Sequence, residues 1–169
     1  GGVVNVNAQG DGIDSNGQVY IEGGELYISG STSGGNGSMD YNGEAVITGG
    51  TFVCSGTQDM FQSFTNSSTQ NYINAFYSNT IAAGTEIKVT DSNGDIIISY
   101  TPDKAFSSVI ISSDKLITGE SVTVTAGDNS QEITVTDGAN QLGESSRGGG
   151  FGGDMGGGQG FPPSGGRPD

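Results

Sequence analysis

Gly10-Asp11-Gly12-Ile13-Asp14-Ser15-Asn16-Gly17 returns later in the chain as Gly35-Asn36-Gly37-Ser38-Met39-Asp40-Tyr41-Asn42-Gly43. Asp14 and Asp40 are 26 residues apart, and each is followed two positions later by Asn-Gly. Each copy leads into a short segment ending in a glycine pair, Gln18-Val19-Tyr20-Ile21-Glu22-Gly23-Gly24 and Glu44-Ala45-Val46-Ile47-Thr48-Gly49-Gly50. A third pair, Gly1-Gly2, starts the chain. The segments after the pairs are Val3-Val4-Asn5-Val6-Asn7, Glu25-Leu26-Tyr27-Ile28-Ser29 and Thr51-Phe52-Val53-Cys54-Ser55. Aligned on the pairs, they give two apolar columns, Val4/Leu26/Phe52 and Val6/Ile28/Cys54. The segments before the pairs add Val19/Ala45 and Ile21/Ile47.

Apolar residues at every second position over four to six residues indicate short, half-buried strands. Glycine pairs and Asn-Gly mark corners where positive φ costs little. A repeat of 22 to 26 residues made of such strands and corners predicts a solenoid, here a parallel β-helix within an all-β chain. One repeat cannot bury its thin apolar face alone, so stacking makes the core. About two and a half coils are present. The N-terminal end is therefore expected to expose an open stack face, normally covered by upstream coils, which is a strand-pairing hazard. The start at Gly1-Gly2-Val3, without Met or signal peptide, reads as a piece cut from a longer protein.

The remaining chain divides by composition. Residues 1–80 hold the coils and an irregular connection, read as a loop with one short helical turn and then a strand around Tyr72–Tyr77. Residues 81–142 read as antiparallel hairpins capping the stack. Asn93-Gly94 turns the first hairpin. Residues 126–131 separate the strands Ser121–Thr125 and Glu132–Thr136 of the second. Residues 143–169, with runs such as Gly148-Gly149-Gly150 and Phe161-Pro162-Pro163, read as a disordered Gly-rich tail.

The 169 residues carry a net charge of −14 and only five Lys and Arg, which argues against nucleic acid and against anionic membranes. No apolar run is long enough to span a membrane. The single cysteine, Cys54, excludes an internal disulfide. It falls in a core column, and a chain without His offers it no activating base.

In a parallel stack, equivalent positions lie about 4.8 Å apart. Asp14 then faces Asp40, Asn16 faces Asn42, and Asp11 and Asn36 form the upstream pair. Adjacent carboxylates repel unless a cation lies between them or one is protonated. Carboxylate and amide oxygens suit a hard cation, and Ca²⁺ tolerates irregular geometry. The alternative is that these side chains only cap turns. An EF-hand is excluded by the missing twelfth-position Glu and flanking helices, and the calcium-binding nonapeptide by the long period. Tyr20 and Tyr27 fall on outward positions beside Gly23-Gly24, and Tyr41 lies in the second Asp-rich turn. They can serve as sugar platforms or simply cover neighbouring strands.

The Gly-Asp-Gly-Ile-Asp-Ser-Asn-Gly turn, its echo from Ser33 to Gly43, and the later stretches Ser68-Thr69-Gln70, Ile87–Gly94 and Pro102–Val109 resemble the C-terminal part of a bacterial family of carbohydrate-binding domain proteins. The likeness covers roughly residues 1–127. Members of that family are right-handed parallel β-helices similar to polysaccharide lyases. The resemblance implies bound Ca²⁺, binding of cellulose or pectin-type polymers, and a secreted or cell-surface location. A β-helix lyase needs a Lys or Arg base beside a neutralised carboxylate. Residues 1–87 contain no Lys, Arg or His, so a non-catalytic, monomeric binding module is expected. A surface spacer and a degenerate lyase are the alternatives.

Overall fold

The computed structural model describes residues 1–146. The regular structure among them is fourteen β-strands and no helix. From residue 147 on, the stretch expected as a disordered tail lies outside the described residues.

Three parallel ladders hold the repeat region. β1 (Val3–Asn7), β4 (Glu25–Ser29) and β7 (Thr51–Gly56) form the first. β2 (Ile13–Ser15) pairs with β5 (Met39–Tyr41), and β3 (Val19–Ile21) with β6 (Ala45–Ile47). The register follows the sequence columns: Val4, Leu26 and Phe52 are successive partners, as are Val6, Ile28 and Cys54. Glycine corners set this register. Glu25 N donates to Gly2 O and Thr51 N to Gly24 O, both at 2.8 Å. Gly50 has φ +92°, and a Cβ there would lie 2.5 Å from Gly24 O. Only glycine fits both the conformation and the close approach.

The inward residues of the ladders make one core. Ile28, Met39, Ala45, Ile47, Phe52, Cys54, Phe64, Tyr72 and Ile110 pack together there. Phe52 meets Phe64 edge to face at 4.9 Å, and Phe64 meets Tyr72 likewise at 5.5 Å. Each fully buried aromatic of this kind contributes roughly 1.5–3 kcal/mol by leaving water.

Residues 57–71 contain no helical turn, against the expectation. Apart from one tight turn, in which Ser68 N donates to Thr65 O at 3.0 Å, the backbone bonds of this segment run to neighbouring strands. Thr65 N donates to Ala45 O at 2.7 Å and Thr69 N to Ile47 O at 3.1 Å, so the loop lies along β6. A helix would have used Thr65 O for Thr69 N. The Gln62 side chain also accepts from Tyr41 N at 2.8 Å, so the loop lies along β5 as well.

β8 (Tyr72–Ile81), β11 (Phe106–Ser112) and β14 (Ala139–Leu142) extend the first ladder into a six-stranded sheet of order β1-β4-β7-β11-β8-β14. β11 lies antiparallel between β7 and β8, with Ile110 opposite both Cys54 and Asn74. This sheet therefore draws strands from both sides of residue 80. β9 (Ile87–Asp91), β10 (Ile96–Tyr100), β12 (Ser121–Ala126) and β13 (Asn129–Thr134) form a second, antiparallel sheet. It covers the other face of the first: Val53, Ile73, Val109 and Ile111 pack with Ile87, Val89, Ile98, Val122 and Val124. A strand buried on both faces needs a continuous apolar run, and Val109-Ile110-Ile111 supplies it. In the β9–β10 turn Gly94 N donates to Asp91 O at 3.1 Å, and Gly94 takes φ +87°. The β12–β13 turn is only Gly127-Asp128, shorter than the expected 126–131 linker, because Ala126 and Asn129 already pair.

Candidate functional site

β2 and β5 carry the two Asp-rich turns in register. Ile13 partners Met39, Asp14 partners Asp40, and Ser15 partners Tyr41. Met39 is fully buried, so alternation turns both carboxylates outward; Asp14 is exposed and Asp40 half-buried. Stacking continues past the strands. Asn42 N donates to Ser15 O at 3.1 Å and Gly43 N to Gly17 O at 2.8 Å, so Asn16 and Asn42 lie at neighbouring levels, both exposed.

The upstream pair is offset by one residue. Asp11 Oδ1 accepts from Gly37 N at 2.7 Å, bridging the two repeats. A Cβ on Gly10 would lie 3.7 Å from Asn36 Oδ1, so Asn36 sits over Gly10 instead of over Asp11. Asn36 Nδ2 donates to Ser33 Oγ at 3.2 Å. Asp11 thus acts as a turn cap joining repeats, whereas Asp14 and Asp40 stand side by side. Among the described residues no group of three or more His, Cys, Asp and Glu could hold a metal ion. What the ladder brings together is an all-oxygen set of two carboxylates and nearby amides. That chemistry fits a hard cation, not a transition metal.

Residues 1–87 hold eight acidic residues and no Lys, Arg or His. The fold brings one ammonium to them from far away. Lys104 Nζ donates to Ala8 O, Lys104 N donates to Ser29 Oγ at 3.1 Å, and the neighbouring Asp103 accepts from Asn7 Nδ2 at 2.9 Å. Nothing in the sequence pattern points to Lys104, because its partners lie more than seventy positions away. Its ammonium is engaged on a backbone carbonyl three residues before Asp11.

The three tyrosines occupy three different ladders. Tyr20, on β3, is 55 % exposed and donates to Gln18 Oε1 at 2.7 Å. Tyr27, on β4, stacks on Tyr100 with ring centres 5.2 Å apart and planes 24° from parallel. Its hydroxyl donates to Glu25 Oε2 at 2.9 Å. Burial first, then this carboxylate, raises its pKa above the usual phenol value. Tyr41, on β5, donates its hydroxyl to Ser63 O, and burial raises its pKa too. Tyr41 is therefore tied into the loop after β7. The sequence pattern does not single out Tyr100: it ends the β10 alternation, and nothing local links it to Tyr27. Burial pushes its pKa up to about 12.

Cys54 behaves as its column implies. It is fully buried, its thiol donates to Ser38 O at 3.6 Å, and burial pushes its pKa up to about 12. A thiol that stays neutral at physiological pH is a poor nucleophile.

Comparison with protein-family models, with curated proteins and with solved structures finds no match to this chain.

Proposed function

We propose that the chain is part of a right-handed parallel β-helix and serves as a non-catalytic, calcium-stabilised module. Its ligand is a plant cell-wall type polysaccharide, cellulose or pectin, and its place is the bacterial cell surface or exterior. The coil reading rests on three parallel ladders that share a 26-residue step, Glu25 to Thr51, Asp14 to Asp40 and Tyr20 to Val46. The function rests on one observation above the others. Asp14 and Asp40 are register partners on an outward face, and no cationic residue lies anywhere in residues 1–87. Ca²⁺ answers that charge and can bridge to an acidic polymer. Asp14, Asp40 and the amides of Asn16 and Asn42 would hold it, with Asp11 and Asn36 bracing the turns beside them. The exposed Tyr20 ring supplies flat apolar surface of the sort sugars pack on, whereas Tyr27 is half-buried and packs with Tyr100 against the core between the two sheets.

Thermal melting with calcium and with chelator tests the metal. Calcium should raise the midpoint, and the Asp14→Asn/Asp40→Asn pair should abolish that response without unfolding the chain. An unchanged midpoint in the original chain leaves Asp14 and Asp40 without a metal. Retention on insoluble cellulose and on calcium-pectate gel tests the ligand, with Tyr20→Ala expected to weaken it. Absence of retention on both would leave a surface spacer, a reading favoured by the internal engagement of Tyr41. Release of ultraviolet-absorbing unsaturated sugars would restore the lyase.

A further inference from the structure

We propose that the cleft between the loop 57–71 and the corner joining β13 to β14 binds an uncharged, hydroxyl-rich ligand, a short stretch of a neutral polysaccharide. The ligand class rests on the sugar-binding reading above, whereas the cleft itself owes nothing to calcium. Its volume is about 330 Å³, within the range of small-ligand sites. Thr65, Asn66 and Ser68 line it from the loop, and Asp137 and Ala139 from the corner and the start of β14. None of these residues belongs to the Asp14–Asp40 ladder or to the tyrosine-bearing strands β3, β4 and β5.

The lining mixes donors and acceptors. Thr65 Oγ1 donates to Ala45 O at 2.9 Å, which leaves its oxygen to accept. Ser68 Oγ accepts from Ile47 N at 3.1 Å, which leaves its proton to donate. Asp137 Oδ1 accepts from Thr118 Oγ1 at 2.6 Å, and Oδ2 has no partner among the described residues. Asn66 is exposed at its turn, and both halves of its amide are free among the described residues. Tyr72, whose hydroxyl is already given to Phe64 O at 2.7 Å, completes the lining. A hydroxyl is at once a donor and an acceptor, so neighbouring hydroxyls answer such a wall.

The corner is held in place without a ligand. Asn71 Oδ1 accepts from Gly138 N at 2.9 Å, and its Nδ2 donates to Leu116 O at 2.8 Å and to Thr118 Oγ1 at 3.1 Å. Asn140 Nδ2 donates to Gly138 O at 3.1 Å. A wall fixed in this way loses little freedom on binding. An anion would need cations or a row of donors, yet no Lys or Arg lines the cleft, Asp137 does, and the chain carries −14. A uronate polymer is therefore the poorer occupant, and the cleft favours a cellulose-like chain over a pectin-like one.

The test titrates the isotope-labelled chain, in chelator, with cellotetraose, trigalacturonate and ethanolamine, and follows the backbone amides. Cellotetraose should move the amides of residues 65–68 and 137–139, and the other two probes should leave them in place. Asn66→Ala should weaken the binding those amides report about fivefold with an unchanged melting midpoint, and Asp137→Ala about tenfold or more. Retention on cellulose with the cleft amides unmoved overturns the cleft and leaves the sugar-binding reading standing. No movement and no retention overturn both. Larger movement with trigalacturonate or ethanolamine than with cellotetraose overturns the ligand class. Binding that ignores both substitutions overturns the assignment of the site.

Discussion

The two ends of the parallel ladders are built from the same columns and meet opposite surroundings. At the far end, β7 is covered by β11, and the loop 57–71 lies along β5 and β6. At the near end, β1, β2 and β3 have no strand on their outer side among the described residues. Exposure along one column records the difference: Val4 is 54 % exposed, Leu26 half-buried, Phe52 fully buried. In a repeat, then, a residue's burial is decided by its neighbouring repeat and not by its own alternation. The sequence pattern marks which side chains point inward and leaves open which of them end up dry.

The largest expected effect contrasts the two ends of that column. Phe52→Ala removes a fully buried ring packed on Phe64 and should cost about 3–5 kcal/mol in denaturant unfolding. Val4→Ala should stay within about 0.5 kcal/mol, as for an exposed side chain. Similar losses at both sites would mean that the near end is covered in solution.

Next comes the glycine pair. Gly50→Ala places a Cβ 2.5 Å from Gly24 O at φ +92°, so the ladder must shift. Gly2→Ala, at φ +110° with open space around it, carries only the backbone penalty of about 1–3 kcal/mol. Thermal melting of the two variants should therefore separate clearly, with Gly50→Ala the lower. If Gly2→Ala proves equally damaging, its corner is already packed against another surface.

The near end and the far end also differ in how far the amino-acid pattern alone specifies them. The apolar columns specify the three ladders to the residue, including Asp14 beside Asp40 and Val19 beside Ala45. Period-two alternation and glycine corners are local signals, and a parallel repeat uses the same signals again at each step. The closing of the far end has no such guide. Ile110 pairs with Cys54 across more than fifty residues, so nothing near either one announces the other. The run Val109-Ile110-Ile111 does hold a signal, since a strand apolar at consecutive positions is buried on both faces, but it names no partner. β14 lacks even that, with no alternation long enough to mark it as a strand. Its Asn140 is held by tertiary bonds: Nδ2 donates to Tyr72 O, Thr136 O and Gly138 O, and Oδ1 accepts from Thr136. The site is legible to the same degree. The Asp14–Asp40 pairing lies in the repeat, whereas the one-residue offset at Asp11, the Tyr100 partner of Tyr27 and the approach of Lys104 emerge only once the chain is folded.

The smallest effect is confined to alkaline pH and again belongs to the closed end. Burial raises the Cys54 thiol to about 12 from an ordinary 9.0. A group whose folded pKa is raised contributes stability that is intact below the unfolded pKa and lost as pH climbs toward the folded one. For Cys54 that window runs from pH 9.0 to about 12. Tyr77 and Tyr100, both raised by burial from 10.0 to about 12, extend the loss from pH 10.0 upward. At about pH 10 the thiol alone accounts for about 1.4 kcal/mol, since only the unfolded chain ionises there. Cys54→Val puts an apolar side chain of similar size in the column and should change stability by less than about 1.5 kcal/mol at about pH 7. Between about pH 7 and pH 10 it should then lose less stability than the original chain, by about that 1.4 kcal/mol. Urea midpoints at the two pH values measure the difference. Equal losses would mean that the thiol ionises without unfolding, and hence that water reaches Cys54 through the end of the ladders held here to be closed.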